Sequence, residues 1–260
     1  VVNITQGGEL TSRLTLGNDG GTTGTLNIQS GSLNAGGSES WIGRFGTGNF
    51  NQSGGTAQFN GLLRLGRDPG ATGNITISDG TLRVQRQFAV GYADNSTGLV
   101  TQTGGSVITS LSGAANGDDW TFVGRDGTGT YNISGGSFDS SAGTLLAVGG
   151  GQGAGTGTVN QSDTNGPSTV TTNELWIGWN GGSTGTYNIS GGTLQVNNRL
   201  GLGRSGGVGT LNINGGVVNV NADVVDDTGT GTINISGGDL SIQKDVAGTL
   251  SVYNLNIGGV

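Results

Sequence analysis

The stretch GTYNISGGTLQVNNRLGLGRSGG (185–207) decides how this chain is read. Within it, GLGRSG (201–206) matches the dinucleotide-binding fingerprint, in which a glycine loop opens a helix and cradles a pyrophosphate. The neighbourhood gives the glycines another meaning. GTYNISGGSFD (129–139) lies upstream and GTLNINGGVVNV (209–220) downstream. The stretch is therefore one copy of a repeat, and its glycines are repeat punctuation that leads into another strand, not into a helix.

Copies open with a motif of the form G-T-[LYI]-N-I-S-G-G. The openings fall at Gly24, Gly48, Gly73, Gly98, Gly129, Gly157, Gly185, Gly209 and Gly231, spaced by 24, 25, 25, 31, 28, 28, 24 and 22 residues. VNITQGG (2–8) is an earlier copy without the first glycine, so ten copies are expected. Three segments recur in each. The first resembles TLNIS. The second resembles GTLQV, as at Leu82/Val84 and Leu194/Val196. The third resembles LxLG, as at Leu14/Leu16, Leu63/Leu65, Leu175/Ile177 and Leu200/Leu202. Each alternates apolar and polar residues with period 2, the signature of a strand. Gly-Gly, Asn and Asp-Gly stand between them and permit sharp corners.

Three strands per repeat of about 24 residues predict an all-β, three-stranded-per-coil parallel β-helix, a single β-solenoid domain over residues 1–260. About ten coils at about 4.8 Å each make a rod roughly 45–50 Å long. A propeller needs repeats of about 40 residues and four strands, which this period does not supply. The longer copies carry the insertions SLSGAANGDD (110–119) and TNGPST (164–169), expected as loops on the rod or as a lateral contact.

Composition sets further bounds. Of 260 residues, 58 are Gly and 31% are apolar, below the usual 45–50% or so. Only stacking, which buries the same few inward residues in every coil, lets such a chain fold. Cys, Met and His are absent, which excludes nucleophile–His pairs and soft-metal sites. A chain lacking an initiator Met is expected to be processed or part of a longer protein. The net charge of −7 argues against a nucleic-acid partner, and no run of 18 apolar residues can insert in a membrane as a helix.

The GTxNISGGxLxV…LxVG repeats resemble the β-helical repeats of autotransporter passenger domains and related secreted bacterial surface proteins, over Val2 to Gly258. The resemblance implies a right-handed parallel β-helix exported to the bacterial cell surface. It implies no catalytic residue, because the family's repeat is structural. The signal peptide and C-terminal membrane barrel usual in such proteins are not among these residues.

Neither end has a recognisable polar cap. Val1 falls at the second position of a repeat opening, and NLNIGGV (254–260) is read as a third strand with its corner. Joined, GGV|VVNITQGG parallels the internal GGVGTLNINGG (206–216). Two readings stand: a piece of a longer array, or copies stacking head to tail into a filament through Val1, Val2, Ile4, Leu255, Ile257 and Val260.

Chemical sites are sparse. Asp19, Asp68, Asp94 and Asp126 recur after the third segment and are candidates for a hard cation, but Asp is also an ordinary turn residue and Arg67 and Arg125 precede two of them. Asp118/Asp119 and Asp226/Asp227 are the adjacent carboxylate pairs, poorly placed for glycoside cleavage because strand neighbours face opposite ways. No enzyme, cofactor or metal is therefore assigned. The richest feature is a third-face strip. Two positions before its glycine come Thr15, Trp41, Arg64, Ala89, Phe122, Ala147, Trp176 and Gly201. One position after come Asn18, Arg44, Arg67, Tyr92, Arg125, Gly150, Trp179 and Arg204. Read as exposed, the aromatics and guanidiniums of this strip either bind glycans or a neighbouring rod, or stack on one another and stabilise the ladder. The Asn of TLNIS, at 27, 132, 188, 212 and 234, is expected to form a hydrogen-bonded ladder. The chain is expected to be an extracellular structural rod, with an adhesin stalk as the competing class and a polysaccharide-acting enzyme third.

Overall fold

The computed structural model describes residues 1–5, 9–111, 119–243, 250–251 and 254–258. Among them every regular element is a strand, and every strand pairs in parallel with the equivalent strand of the next coil. The chain is a parallel β-solenoid.

The repeat openings coincide with the first ladder: Gly24, Gly48 and Gly73 pair in register, as do Gly129, Gly157, Gly185, Gly209 and Gly231. A glycine with positive φ, such as Gly192 at 82°, turns the first segment into the second. The third segment ends on another, such as Gly43 at 76°. GLGRSG lies in strand Leu200–Arg204 and the turn after it, and no helix follows. The motif therefore lacks the helix that the dinucleotide fingerprint requires.

Inward residues form one continuous core from Ile4 to Ile233. Glutamines interrupt its first-segment column at three rungs. Gln52, Gln102 and Gln161 occupy the column otherwise held by Ile28, Ile77, Ile133 and Ile189. Their amides donate to backbone carbonyls of their own coil and the next, as from Gln102 to Gly105 and Ser137. Tyr131 and Tyr187 donate from the following coil to Oε1 of Gln102 and Gln161, both at 2.7 Å. Complete burial pushes both phenols well above their ordinary pKa, so they remain donors. Gln52 has Ile75 where the tyrosine would stand, and its Oε1 has no partner among the described residues.

The asparagine ladder forms on the outside of the first segment. It runs Asn3–Asn27–Asn51 and then Asn132–Asn160–Asn188–Asn212–Asn234–Asn256, with Nδ2 to Oδ1 distances of 2.7–2.8 Å. Thr76 and Thr101 interrupt it.

The C-terminal reading needs correction. Asn254–Ile257 is a first strand, paired Leu255 to Ile233 and Asn256 to Asn234. The third strand of the preceding coil is Leu250–Ser251, paired with Val224–Val225. Asn256 extends the Asn ladder, and this side-chain bond selects the first face for NLNI. Joining GGV to VVN therefore sets two first strands in succession, not a third strand before a first. Of the six end residues, Val1, Val2, Leu255 and Ile257 are exposed, Ile4 is buried, and Val260 lies outside the described residues.

Candidate functional site

The third-face column is a true ladder. Thr15, Trp41, Arg64, Ala89, Phe122, Ala147, Trp176 and Gly201 pair rung by rung, and the column continues through Val225 to Ser251. Trp179 pairs with Arg204 in the second rank. The exposure expected of the strip is not found. Trp41, Phe122, Arg125, Trp176 and Trp179 are buried, with at most 9% of their surface accessible. Arg44, Arg64, Arg67, Tyr92 and Arg204 are half-buried.

Neighbour size explains the burial. Phe122 lies between Ala89 and Ala147, and Trp176 between Ala147 and Gly201, so each ring can lie flat across the adjacent coil. A Cβ at Gly201 would come within 2.2 Å of the Trp176 ring. The result is a second apolar cluster, outside the sheet, of Ala89, Phe122, Leu145, Ala147, Trp176 and Trp179, with Trp120 packed 5.2 Å from Trp179.

Arginines roof this layer. Arg204 covers Trp176 and Trp179 at 4.7 and 4.5 Å. Arg13 and Arg44 flank Trp41 at 3.9 and 4.6 Å, and Arg64 and Arg125 share Tyr92 at 4.0 and 4.5 Å. Glu39 accepts the Trp41 indole N–H at 2.9 Å and pairs with Arg64 of the next coil at 2.7 Å. Burial lowers the Arg64 pKa, opposed by Tyr92 and Glu39. Glu174 repeats the device, accepting from Trp176 at 3.1 Å and from Asn198 of the next coil at 3.3 Å. Arg13, Glu39, Trp120 and Glu174 were missed by sequence reasoning. The spacing Glu-x-Trp, present twice as ESW and ELW, is the signal that marks the two glutamates. Each cluster staples one coil to the next. Replacing Trp176 with alanine is expected to lower stability by about 3 kcal/mol, since it empties a packed ring site and frees Arg204; chemical denaturation checks this.

The candidate carboxylates among the described residues each have a local partner, while Asp68 Oδ2 and Asp119 Oδ1 are buried with no hydrogen-bond partner among those residues. Asp68 pairs with Arg67 at 2.5 Å, and Asp94 accepts from Asn95 at 3.0 Å. Asp126 binds Arg125 at 2.8 Å and the Gly153 N–H at 2.6 Å. Asp19 accepts from Asn18 at 3.3 Å. Among the described residues no group of three or more His, Cys, Asp or Glu side chains could hold a metal ion. Asp119 accepts from Thr144 at 2.8 Å, while Asp118 lies outside the described residues. Asp226 accepts from Ser251, and Asp227 from the Ser205 N–H. Among the described residues no helix is long and apolar enough to cross a membrane. Comparisons with protein-family models, with curated proteins and with solved structures found no match.

Proposed function

We propose that the chain is a structural rod of an extracellular bacterial surface fibre, lengthened by coils that stack on its two terminal strands. Those coils come from another copy of the chain or from further residues of the same polypeptide. One observation carries this reading. Of the seven exposed large apolar side chains among the described residues, Val2, Leu250, Leu255 and Ile257 sit on the terminal strands and Val1 immediately precedes the first of them. Their inward and axial contacts are those that the interior rungs satisfy by stacking. The alternative of an adhesin stalk gripping glycans through the third-face strip draws less support, because the rings expected to meet a sugar are largely covered by their own arginines.

Negative-stain microscopy tests the stacking of copies. The purified chain is expected to form rods whose lengths are multiples of about 50 Å, from ten rungs at 4.8 Å. Leu255→Lys with Ile257→Lys is expected to return them to single units. Short single rods at every concentration overturn stacking between copies.

A further inference from the structure

The first face of the rod is unlike the rest of the surface. Its outermost rank is threonine at every rung from Thr23 to Thr230, except for Val208. The second rank over the same rungs is threonine or asparagine, except for Leu99, and the third is the asparagine ladder with its two threonines. The chain carries 10 Lys and Arg and 17 Asp and Glu, and none of them stands in these three ranks.

We propose that this uncharged face pairs two copies of the chain side by side, face to face. Four properties converge on a second copy as the occupant. The first is repeat. A partner that uses all nine rungs must present matching groups every 4.8 Å or so, and a second rod does so by construction, as facing sheets do in a steric zipper. The second is charge. Each rod carries −7, and this is the side on which two rods meet without opposing like charges. The third is area. Nine rungs and the width of the strand make a patch of about 40 by 20 Å, on the order of the 800 Å² per partner of a stable interface. The fourth is an exposed apolar group. Val208, with 44% of its surface accessible, stands in the outer rank. The asparagine ladder adds capacity, since each amide spends one N–H along the rod and keeps the other for a partner. The contact is isologous, so it closes at two rods.

This pairing widens the rod, whereas end stacking lengthens it, so the two proposals fail separately. Sedimentation and small-angle X-ray scattering of the full chain are expected to show a species two rods wide. Added salt is expected to tighten it or leave it unchanged, because salt screens the repulsion between acidic rods and the face has no ion pairs to lose. Thr156→Lys with Thr184→Lys, at exposed outer-rank positions, is expected to weaken pairing at least tenfold with the melting temperature unchanged. These substitutions lower the net negative charge, so a loss of pairing cannot come from added repulsion between whole rods. Asn219→Lys, on the second segment, is expected to pair normally. Single-width rods at all concentrations overturn the proposal, as does pairing that survives the double substitution or is lost equally with Asn219→Lys. Single rods that instead sediment with insoluble chitin or cellulose, and lose this with the double substitution, also overturn it and give the face to a crystalline polysaccharide.

Discussion

Gly157→Ala is expected to break the rod in its middle, at a cost of about 3 kcal/mol or more. A Cβ at this position would lie 2.0 Å from the Val123 carbonyl oxygen and 2.2 Å from the Gly149 nitrogen. Both are backbone atoms fixed in the ladders, so neither can swing aside as a side chain would. The corner is crowded because two glycine columns meet there. Gly149, at φ 78°, ends the third strand, and its own missing Cβ faces the Thr184 carbonyl at 2.2 Å. The coil closes only because both positions lack a side chain. In a one-dimensional stack each rung touches only its neighbours. The coils before and after the lesion are thus expected to stay folded and to melt separately, giving two transitions by circular dichroism where the parent gives one. Gly20→Ala is the control. Nothing lies within 4 Å of its Cβ, and a change within about 0.5 kcal/mol is expected. Equal effects at the two sites would show that glycine acts through chain entropy and not through the corner.

The corners, the three segments and the column from Thr15 to Gly201 were legible in the residue order, because period-2 alternation and recurring glycines specify facing and phase. What alternation does not specify is depth. An outward aromatic can stand up into water or lie down, and the choice belongs to the residue one coil away. Ala89, Ala147 and Gly201 give Phe122 and Trp176 room to lie flat, and those partners are 25 to 33 residues distant in sequence. The inner glutamines were illegible for a related reason. Gln52, Gln102 and Gln161 read as polar residues in an apolar column, and their partners are backbone carbonyls that only the coiled chain brings near. NLNI was misassigned because it lacks the opening glycine, although Asn256 carries the ladder residue that places it.

Gln161→Leu is expected to cost about 3–5 kcal/mol, from two buried groups losing partners at about 1–3 kcal/mol each together with imperfect packing. The side chain is buried and serves both directions of the stack. Its amide donates to the Thr193 carbonyl at 3.0 Å, and its Oε1 accepts the Tyr187 hydroxyl at 2.7 Å. Leucine strands that hydroxyl in the core. Burial holds Tyr187 far above its usual pKa, so it cannot escape by ionising near neutral pH. Tyr187→Phe in the same chain removes the stranded group and is expected to recover about 1–3 kcal/mol, because deleting both members of a buried pair costs less than deleting one. Gln52 supplies an internal comparison. Its amide makes the same kind of bond, to the Thr81 carbonyl at 3.0 Å, but its Oε1 faces a rung with Ile75 and no tyrosine. Gln52→Leu is therefore expected to cost less than Gln161→Leu by about 1–3 kcal/mol, the value of the missing hydroxyl contact. Urea titrations of the three variants decide it. Equal losses at the two rungs would mean that the bonds to backbone carbonyls, and not the tyrosine, hold the glutamines in the core.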